Sequence, residues 1–247
     1  MPLSLSPGAQ LIVLSEHVDY WDHEGWKDPY SSVWATERQS DYVRQLRLQT
    51  AYTPQFNVDG ISEFAMGNET QAREAFEKAL ARPKVSIDIG SPTIESKPSS
   101  VLRAHIDVDG TSERHNADVY VAVALDHTES QVLRGENGGK HLSHVAVVEQ
   151  LKRVGKLEKG RKFGQDVELK LNPSVRSSDL RIVVFVQEPG AGEGHWCRTS
   201  KNCELAGLEL ENGFRIEAKF PDHGLTAQTG GPAMMRRGVA RYPYSCG

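Results

Sequence analysis

The residues best suited to do chemistry lie in one short stretch near the start of the chain, His17-Val-Asp-Tyr-Trp-Asp-His23. Imidazole and carboxylate groups are the ligands that divalent metals commonly take from proteins. The sequence therefore suggests a metal site with these ligands: His17, Asp19, Asp22 and His23. In the alternative interpretation, the two aspartates accept hydrogen bonds from the loop backbone, while His17 and Trp21 pack against the end of a sheet.

A second motif is Tyr52-Thr-Pro-Gln-Phe-Asn-Val-Asp-Gly60. Proline has no amide hydrogen to give to a sheet, so Pro54 is expected at the first residue of a strand, with either an ordinary trans peptide or a cis one. We predict a cis Thr53–Pro54 peptide, with Pro54 near Trp21 or Trp26.

The third polar cluster is Arg134-Gly-Glu-Asn-Gly-Gly-Lys-His141, with His144 beyond it. Its glycines and Asn137 tolerate the positive φ angles of a tight turn. Arg134 is free to pair with Glu136 or with an acid of the first motif, Asp19 or Asp28. The cluster is thus either a contact between domains or with an anionic ligand, or a decorated hairpin turn.

Several elements are predicted to position these motifs. The apolar run from Leu11 to Glu16 indicates a strand buried on both faces, as in an α/β layer. Asp28-Pro29 is typical of a helix start. The remaining elements before Pro83 are a helix over 32–48, a hairpin with strands 56–58 and 61–66, and a helix from the cap Asn68 to Leu80.

After Pro83 the pattern changes to short β-branched runs separated by turn residues, which favours an antiparallel sandwich. The predicted strands span 85–89, 100–108, 117–125, 129–134, 167–171 and 180–186. Residues 143–157 are ambiguous, and the valines favour a strand in the first half. We predict three regions: an α/β domain over 1–83, a β-rich sandwich-like domain over 84–206, and an irregular tail over 207–247.

Composition excludes some classes of function. A net charge of -4 and only short basic runs argue against nucleic-acid binding. No apolar run approaches the length of a transmembrane segment, and no cofactor motif occurs, so no cofactor is predicted. Of the three cysteines, Cys197 and Cys203 are spaced for a local disulfide in an oxidising compartment, which leaves Cys246 unpaired.

The motifs also resemble a known family. His17-Val-Asp-Tyr-Trp-Asp, Gly25-Trp-Lys-Asp-Pro29, Tyr52-Thr-Pro-Gln55 and Arg134-Gly-Glu-Asn are similar, in this order, to the family called domain of unknown function 1223. The resemblance extends from about Leu11 to about Val186. It implies an exported protein in which a thioredoxin-like domain, with a cis proline that presents backbone to substrate, precedes a β-rich domain.

One departure from the family decides the functional prediction. Members carry a Cys-x-x-Cys segment upstream of the His-Val-Asp-Tyr-Trp strand, and no Cys-x-x-Cys occurs in this chain. Thiol–disulfide exchange needs an attacking thiolate and a resolving cysteine. We therefore expect an incomplete thioredoxin-like sheet without its first strand and helix, whose exposed edge favours self-association. The chain as it stands suggests a cytoplasmic protein, and the resemblance an exported one.

Three functional hypotheses follow, and they leave open whether the protein is an enzyme. The first is a non-catalytic module that binds an unknown protein or peptide. The second is a thiol–disulfide oxidoreductase-like protein whose Cys-x-x-Cys is missing, and the third is a divalent-metal-binding protein. The predicted ligand-binding residues are His17, Asp19, Trp21, Trp26, Asp28, Thr53, Pro54, Gln55, Arg134, Glu136 and Asn137.

Overall fold

A computed structural model describes residues 11–95, 100–135, 137–189, 200–202 and 245–246. Twelve strands are seen in these residues: β1 Ser15–Glu16, β2 Gln55–Val58, β3 Ser62–Ala65, β4 Ser86–Ile89, β5 Thr93–Glu95, β6 Val101–Asp109, β7 Ala117–Gln131, β8 His141–Leu157, β9 Lys162–Lys170, β10 Leu180–Gln187, β11 Ser200–Asn202 and β12 Ser245–Cys246. Two α-helices accompany them, α1 Val33–Gln45 and α2 Glu69–Leu80. None of the described helices is long and apolar enough to cross a membrane.

Two sheets pack face to face and enclose the main core. The large sheet has the order β11-β10-β7-β8-β1-β12, and the small sheet pairs β6 with β4, β5 and β9. Inward-facing residues alternate along the long strands, such as Ile106 and Val108 on β6 and Val119 and Val121 on β7, all at most 1% exposed. The period-two pattern of a strand therefore explains why these sequences form a sandwich.

The other face of the large sheet is covered by helix α1. Ser32 caps this helix by accepting a hydrogen bond from the amide of Ala35. Trp34 packs against a second core cluster that includes Leu14, Val148 and Phe185. The sheet is thus buried on both faces in the region of β1, as the continuous apolar run had suggested.

A separate hairpin leads into helix α2. Strands β2 and β3 pair in antiparallel register, and the turn between them has positive φ at Asp59 and Gly60. Phe56 and Phe64 stack on this hairpin, and α2 contributes Phe76 to the same cluster. Asn68 accepts a hydrogen bond from the amide of Gln71, which is the predicted helix cap.

Several predicted boundaries require correction. The strand predicted over 11–16 is reduced to β1, and the helix predicted over 32–48 ends at Gln45 because Arg47 adopts a positive φ. The two strands predicted over 117–125 and 129–134 are one long strand, β7. Strand β8 continues through Leu157 with irregularities in its pairing to β7 and a positive φ at Ala146.

The structure also differs from the prediction of an exposed sheet edge in the N-terminal region. Strand β1 lies between β8, its parallel neighbour, and β12, its antiparallel neighbour, so it is an interior strand. Strands of the region predicted as domain 1–83 and of the region predicted as 84–206 therefore share one sheet. Except for β12, the predicted tail from residue 207 lies outside the described residues.

Candidate functional site

The first and second sequence motifs meet at the Thr53–Pro54 peptide bond, which is cis. The indole Nε1–H of Trp21 donates a hydrogen bond to Oγ1 of Thr53 over 3.0 Å. The rings of Tyr20 and Trp21 lie 5.2 Å apart. We name the half-exposed surface formed by Tyr20, Trp21, Tyr52, Thr53 and Pro54 the proline face.

Two buried glutamines hold the proline face from beneath. Gln39 on α1 donates hydrogen bonds to the carbonyl oxygen of Tyr52 and to Oε1 of Gln55, and it accepts one from the hydroxyl of Tyr20. Burial raises the pKa of Tyr20, against hydrogen bonds that lower it, and burial likewise raises that of Tyr52, whose hydroxyl contacts Glu63. Both phenols therefore stay neutral at physiological pH and act as hydrogen-bonding groups.

A second polar group lies on the other side of β1, and we name it the histidine cluster: His17, Asp28, Tyr30, Ser130 and His144. Nδ1–H of His17 donates to Oδ2 of Asp28 over 2.8 Å, and Nε2 of His144 lies 2.8 Å from Oγ of Ser130. The two imidazole centroids are 5.1 Å apart. The cluster therefore ties the loop after β1 to the β7–β8 hairpin.

Burial keeps the histidine cluster away from ligands. His17, Asp28, Ser130 and His144 are all less than 9% exposed. Burial is the main cause that lowers the pKa of His144 to about 4, and the neighbouring His17 adds to it against the opposing effect of Asp28. His144 is therefore neutral at physiological pH, which suits a structural hydrogen-bonding role.

The structure does not bring the predicted metal ligands together. Oδ1 of Asp19 accepts from the hydroxyl of Thr36, and Asp22 accepts from the hydroxyl of Ser31 and the amide of Asp28. His17 faces Asp28, and His23 is exposed. Among the described residues, no group of three or more histidine, cysteine, aspartate or glutamate side chains is arranged to hold a metal ion. The alternative interpretation had both aspartates accept from the loop backbone. Asp22 does so through the amide of Asp28, whereas Asp19 accepts from a hydroxyl on α1.

Asp28 also departs from its predicted role as a helix cap. Helix α1 begins at Val33 with Ser32 as its cap, which agrees with the helix predicted from residue 32 and not with a start at Asp28-Pro29. The Asp28 side chain accepts instead from the amide of Tyr30 and from His17. A capping aspartate and an aspartate that orients a histidine cannot be told apart from sequence, because both precede a turn.

The loop around Gly135 touches the loop that contains Trp26. Gly135 has a φ of +81°, and a Cβ atom there would lie 2.7 Å from the carbonyl oxygen of Glu24. Asn137 is buried, and its Oδ1 accepts from Lys140. The predicted contact between the two regions is thus made by backbone at Gly135, whereas Arg134 is exposed and the predicted acids Asp19 and Asp28 have other partners.

Four of the predicted ligand-binding residues are buried and support the loops: His17, Asp28, Gln55 and Asn137. Glu136, Cys197 and Cys203 lie outside the described residues. Half-exposed positions among the predicted set are Trp21, Thr53 and Pro54 on the proline face, together with Asp19 and Trp26. Among the predicted residues, the proline face is thus a group of neighbouring side chains that solvent can reach.

Sequence reasoning missed a buried ion pair beside this site. Oε1 of Glu16 accepts from Nε of Arg38 over 3.1 Å, and the guanidinium lies 5.0–5.8 Å from the ring centroids of Tyr42, Phe185 and Tyr120. Burial raises the pKa of Glu16, and Arg38 opposes that effect. A glutamate that directly follows a buried apolar run was the available signal, because such a carboxylate needs a cation.

Comparisons with known proteins are consistent with this architecture. A crystal structure of a protein from Agrobacterium tumefaciens, solved by a structural genomics consortium, is similar with 22% identity and a TM-score of 0.55, over 80% of this chain and 82% of that one. At this identity the likeness concerns the fold. HBP35 of Porphyromonas gingivalis matches with 14% identity and a TM-score of 0.47, over 74% of this chain and 63% of that one. No curated protein sequence matches the chain.

The family assignment rests on most of the chain. The sequence profile described as protein of unknown function DUF1223 matches residues 4–187, which contain the proline face, the histidine cluster and all described strands except β11 and β12. The resemblance inferred from the three motifs is thereby confirmed. The chain belongs to the family of domain of unknown function 1223.

Proposed function

We propose that this chain is a thioredoxin-like protein that acts as a binding module for extended protein segments and performs no thiol chemistry of its own. The observation that carries the proposal is the hydrogen bond from Trp21 to Thr53 beside the cis Thr53–Pro54 peptide. It joins a half-exposed indole to a proline corner and thus forms an amphipathic surface. Aromatic rings with one polar edge are the side chains that most often anchor protein partners.

The hydrogen bonds beneath the proline face hold it in one conformation, which favours binding. Gln39 contacts both Tyr52 and Gln55, so the backbone around Pro54 is fixed before a ligand arrives. Such preorganisation lowers the entropy lost on binding. The given sequence contains no Cys-x-x-Cys, the arrangement in which an attacking and a resolving thiol usually stand together, and the proposal therefore assigns no thiol exchange to these residues.

A peptide selection tests this proposal. The immobilised chain is screened against a random peptide library, and the best binder is resynthesised and titrated by calorimetry. We expect Trp21→Ala and Trp26→Ala each to weaken binding by at least about tenfold, which is the effect of a single aromatic anchor. Leu80→Ala on α2, which also removes a partly exposed apolar side chain, is the control and leaves affinity unchanged.

Two results contradict the proposal. Equal affinity of the parent, Trp21→Ala and Trp26→Ala would place the contact elsewhere. Turnover in an insulin-reduction assay that is lost when all three cysteines are changed to serine would assign thiol chemistry to the chain.

A further inference from the structure

A cleft of about 240 Å³, which we name the β8 cleft, lies between the start of α1 and the middle of strand β8. Its walls come from residues of the segment 29–34, from residues 148–150 of β8 and from Asn172. None of these residues belongs to the proline face. Pockets for drug-sized ligands begin at about 300 Å³, so the size of the β8 cleft suits a smaller ligand.

A β-bulge in β8 turns Glu149 into this cleft. The two neighbours of Glu149 pair with Val123 and Ala124 of β7, which leaves Glu149 as an extra residue without a partner on β7. In a regular strand, Glu149 would point with Val147 into the main core. It lines the β8 cleft instead. Bulges often re-aim a side chain next to a binding site, and this one places a carboxylate in a cavity.

Glu149 brings a negative charge into the β8 cleft that no cation of the chain compensates. The side chain is half-buried, burial raises its pKa, and the side chain of Asn172 opposes this effect. In the part of the chain that the structure describes, no lysine, arginine or histidine side chain pairs with it. A carboxylate that has lost part of its hydration without gaining a cation is stabilised by a cation that a ligand supplies.

Two other polar side chains of the β8 cleft already have partners within the chain. The hydroxyl of Ser31 donates to Oδ2 of Asp22. Nε2 of Gln150 donates to the carbonyl oxygen of Lys170. Glu149 is therefore the group that a charged ligand can engage without breaking a hydrogen bond of the fold.

Aromatic rings complete the β8 cleft. Tyr30 and Trp34 are half-exposed and line it on the side of α1. The faces of such rings attract cations, tryptophan most strongly. Their carbon surface also favours the alkyl part of a ligand. A carboxylate beside two aromatic rings is thus suited to an organic ammonium group that carries an alkyl chain.

We propose that the β8 cleft is a second binding site, which takes an alkylammonium group through an ion pair with Glu149 and contact of its alkyl chain with Trp34. This site does not depend on the proline face, because the two share no residue. The ammonium group belongs either to a small free amine or to a lysine side chain of a partner protein, and the two sources present the same chemistry to Glu149.

Titration of the full-length chain with n-pentylamine, which is protonated at neutral pH, tests the site. Binding is followed by NMR through the indole N–H resonance of Trp34, which is assigned by its loss in Trp34→Phe. We expect a saturable shift with a Kd of about 1 mM or lower. Glu149→Gln keeps the shape of the side chain and weakens binding at least about tenfold, because a charge-assisted hydrogen bond is lost. Glu74→Gln, an exposed position on α2, is the control and leaves the Kd unchanged.

Ligands of the same length but different charge separate recognition of the ammonium group from simple burial of an alkyl chain. We expect the neutral n-pentanol and the anionic n-pentanoate to bind the parent at least about tenfold more weakly than n-pentylamine does. This comparison uses the parent chain and therefore holds even if Glu149→Gln lowers the unfolding midpoint. The tripeptide Gly-Lys-Gly, titrated in the same way, identifies the source: the tighter of tripeptide and free amine is the form that the cleft accepts.

Three results would overturn the inference. The first is the lack of a saturable shift of the Trp34 resonance with n-pentylamine and with the tripeptide. The second is n-pentanol or n-pentanoate binding as tightly as n-pentylamine. The third is an equal Kd for n-pentylamine in the parent and in a folded Glu149→Gln chain.

Discussion

The imidazole rings of His17 and His144 form a T-shaped contact at an interplanar angle of 66°, with their centroids 5.1 Å apart. One belongs to the loop after β1 and the other to β8, so two distant segments of the chain join through two histidines. Tyr30 contacts both rings, with centroid distances of 5.8 Å and 5.7 Å. Because His144 is packed against these rings in a buried cluster, a positive charge on it would be costly.

We first predict a loss of stability in mild acid. The pKa of His144 is about 4 in the folded chain because of burial and the neighbouring His17, against about 6.5 in an unfolded chain. The unfolded state therefore binds the proton first, and the contribution of His144 to stability falls as pH drops from about 6.5 to about 4. Urea unfolding at several pH values measures this slope.

The variant His144→Asn tests the assignment. It removes the titrating group, so we expect a flatter dependence of the unfolding free energy between pH 6.5 and 4, together with a lower stability at pH 8 from the lost contact with Ser130. His141→Asn, an exposed position on the same strand, is the control. An unchanged slope in His144→Asn would assign the acid sensitivity to another group.

The buried pair of Glu16 and Arg38 gives a second prediction. Arg38→Met leaves a buried carboxylate without its cation and lowers the unfolding free energy by about 3–5 kcal/mol. Adding Glu16→Gln recovers part of this loss because the buried charge is gone. Arg44→Met, which removes an arginine paired with Asp41 on the exposed face of α1, changes stability by at most about 1 kcal/mol. Equal losses for Arg38→Met and Arg44→Met would argue against a buried pair.

The third prediction concerns the contact between the loops of Gly135 and Glu24. Both Gly135 and Gly139 have positive φ, so alanine at either costs about 1 kcal/mol through the backbone. Only at Gly135 does the new Cβ meet a neighbour, at 2.7 Å from the Glu24 carbonyl oxygen. We expect Gly135→Ala to be less stable than Gly139→Ala by about 1–3 kcal/mol in thermal unfolding. Equal midpoints would mean that the loops do not touch.

A fourth prediction tests the proline face without any ligand. Trp21→Phe and Thr53→Val each remove one partner of the hydrogen bond between these side chains. The double variant loses the free energy of this bond only once, so its loss of stability is smaller than the sum of the two single losses. The coupling energy in this double-mutant cycle is expected at about 0.5–1.5 kcal/mol. Thr50→Val, whose hydroxyl contacts only the neighbouring Ala51 carbonyl, shows no coupling to Trp21→Phe. Additive effects of Trp21→Phe and Thr53→Val would contradict the observed contact.

The parts of the fold that sequence predicted best are those decided by local interactions. Helix α2 begins where Asn68 accepts from Gln71, and the β2–β3 turn follows from Asp59-Gly60. Both signals involve residues within a few positions of each other, so sequence contains them directly. Helix α1, which was predicted from residue 32, begins at Val33 with Ser32 as its cap, whereas Asp28-Pro29 satisfies the same local rule and starts no α-helix.

What sequence could not predict is set by long-range pairing. Strand β1 pairs with β8 through Ser15 and Val147, and nothing local to either strand specifies that partner. The proximity of Trp21 to Thr53 followed from the family resemblance, whereas the meeting of His17 with His144 required the sheet to be built. The predicted metal site relied on strand geometry to point His17 and Asp19 to the same side. Strand β1 ends at Glu16, before both residues, so the alternation of a strand does not apply to them.

The most direct test of the account is the affinity of a cysteine-free chain, Cys197→Ser/Cys203→Ser/Cys246→Ser, for the peptide selected on the parent. Binding through the proline face needs Trp21 and Thr53 but no thiol. We therefore expect the Kd of the cysteine-free chain to lie within about twofold of the parent's, a much smaller difference than the tenfold change that corresponds to about 1.4 kcal/mol. Loss of binding in the cysteine-free chain, with a folded spectrum and a normal unfolding midpoint, would contradict it.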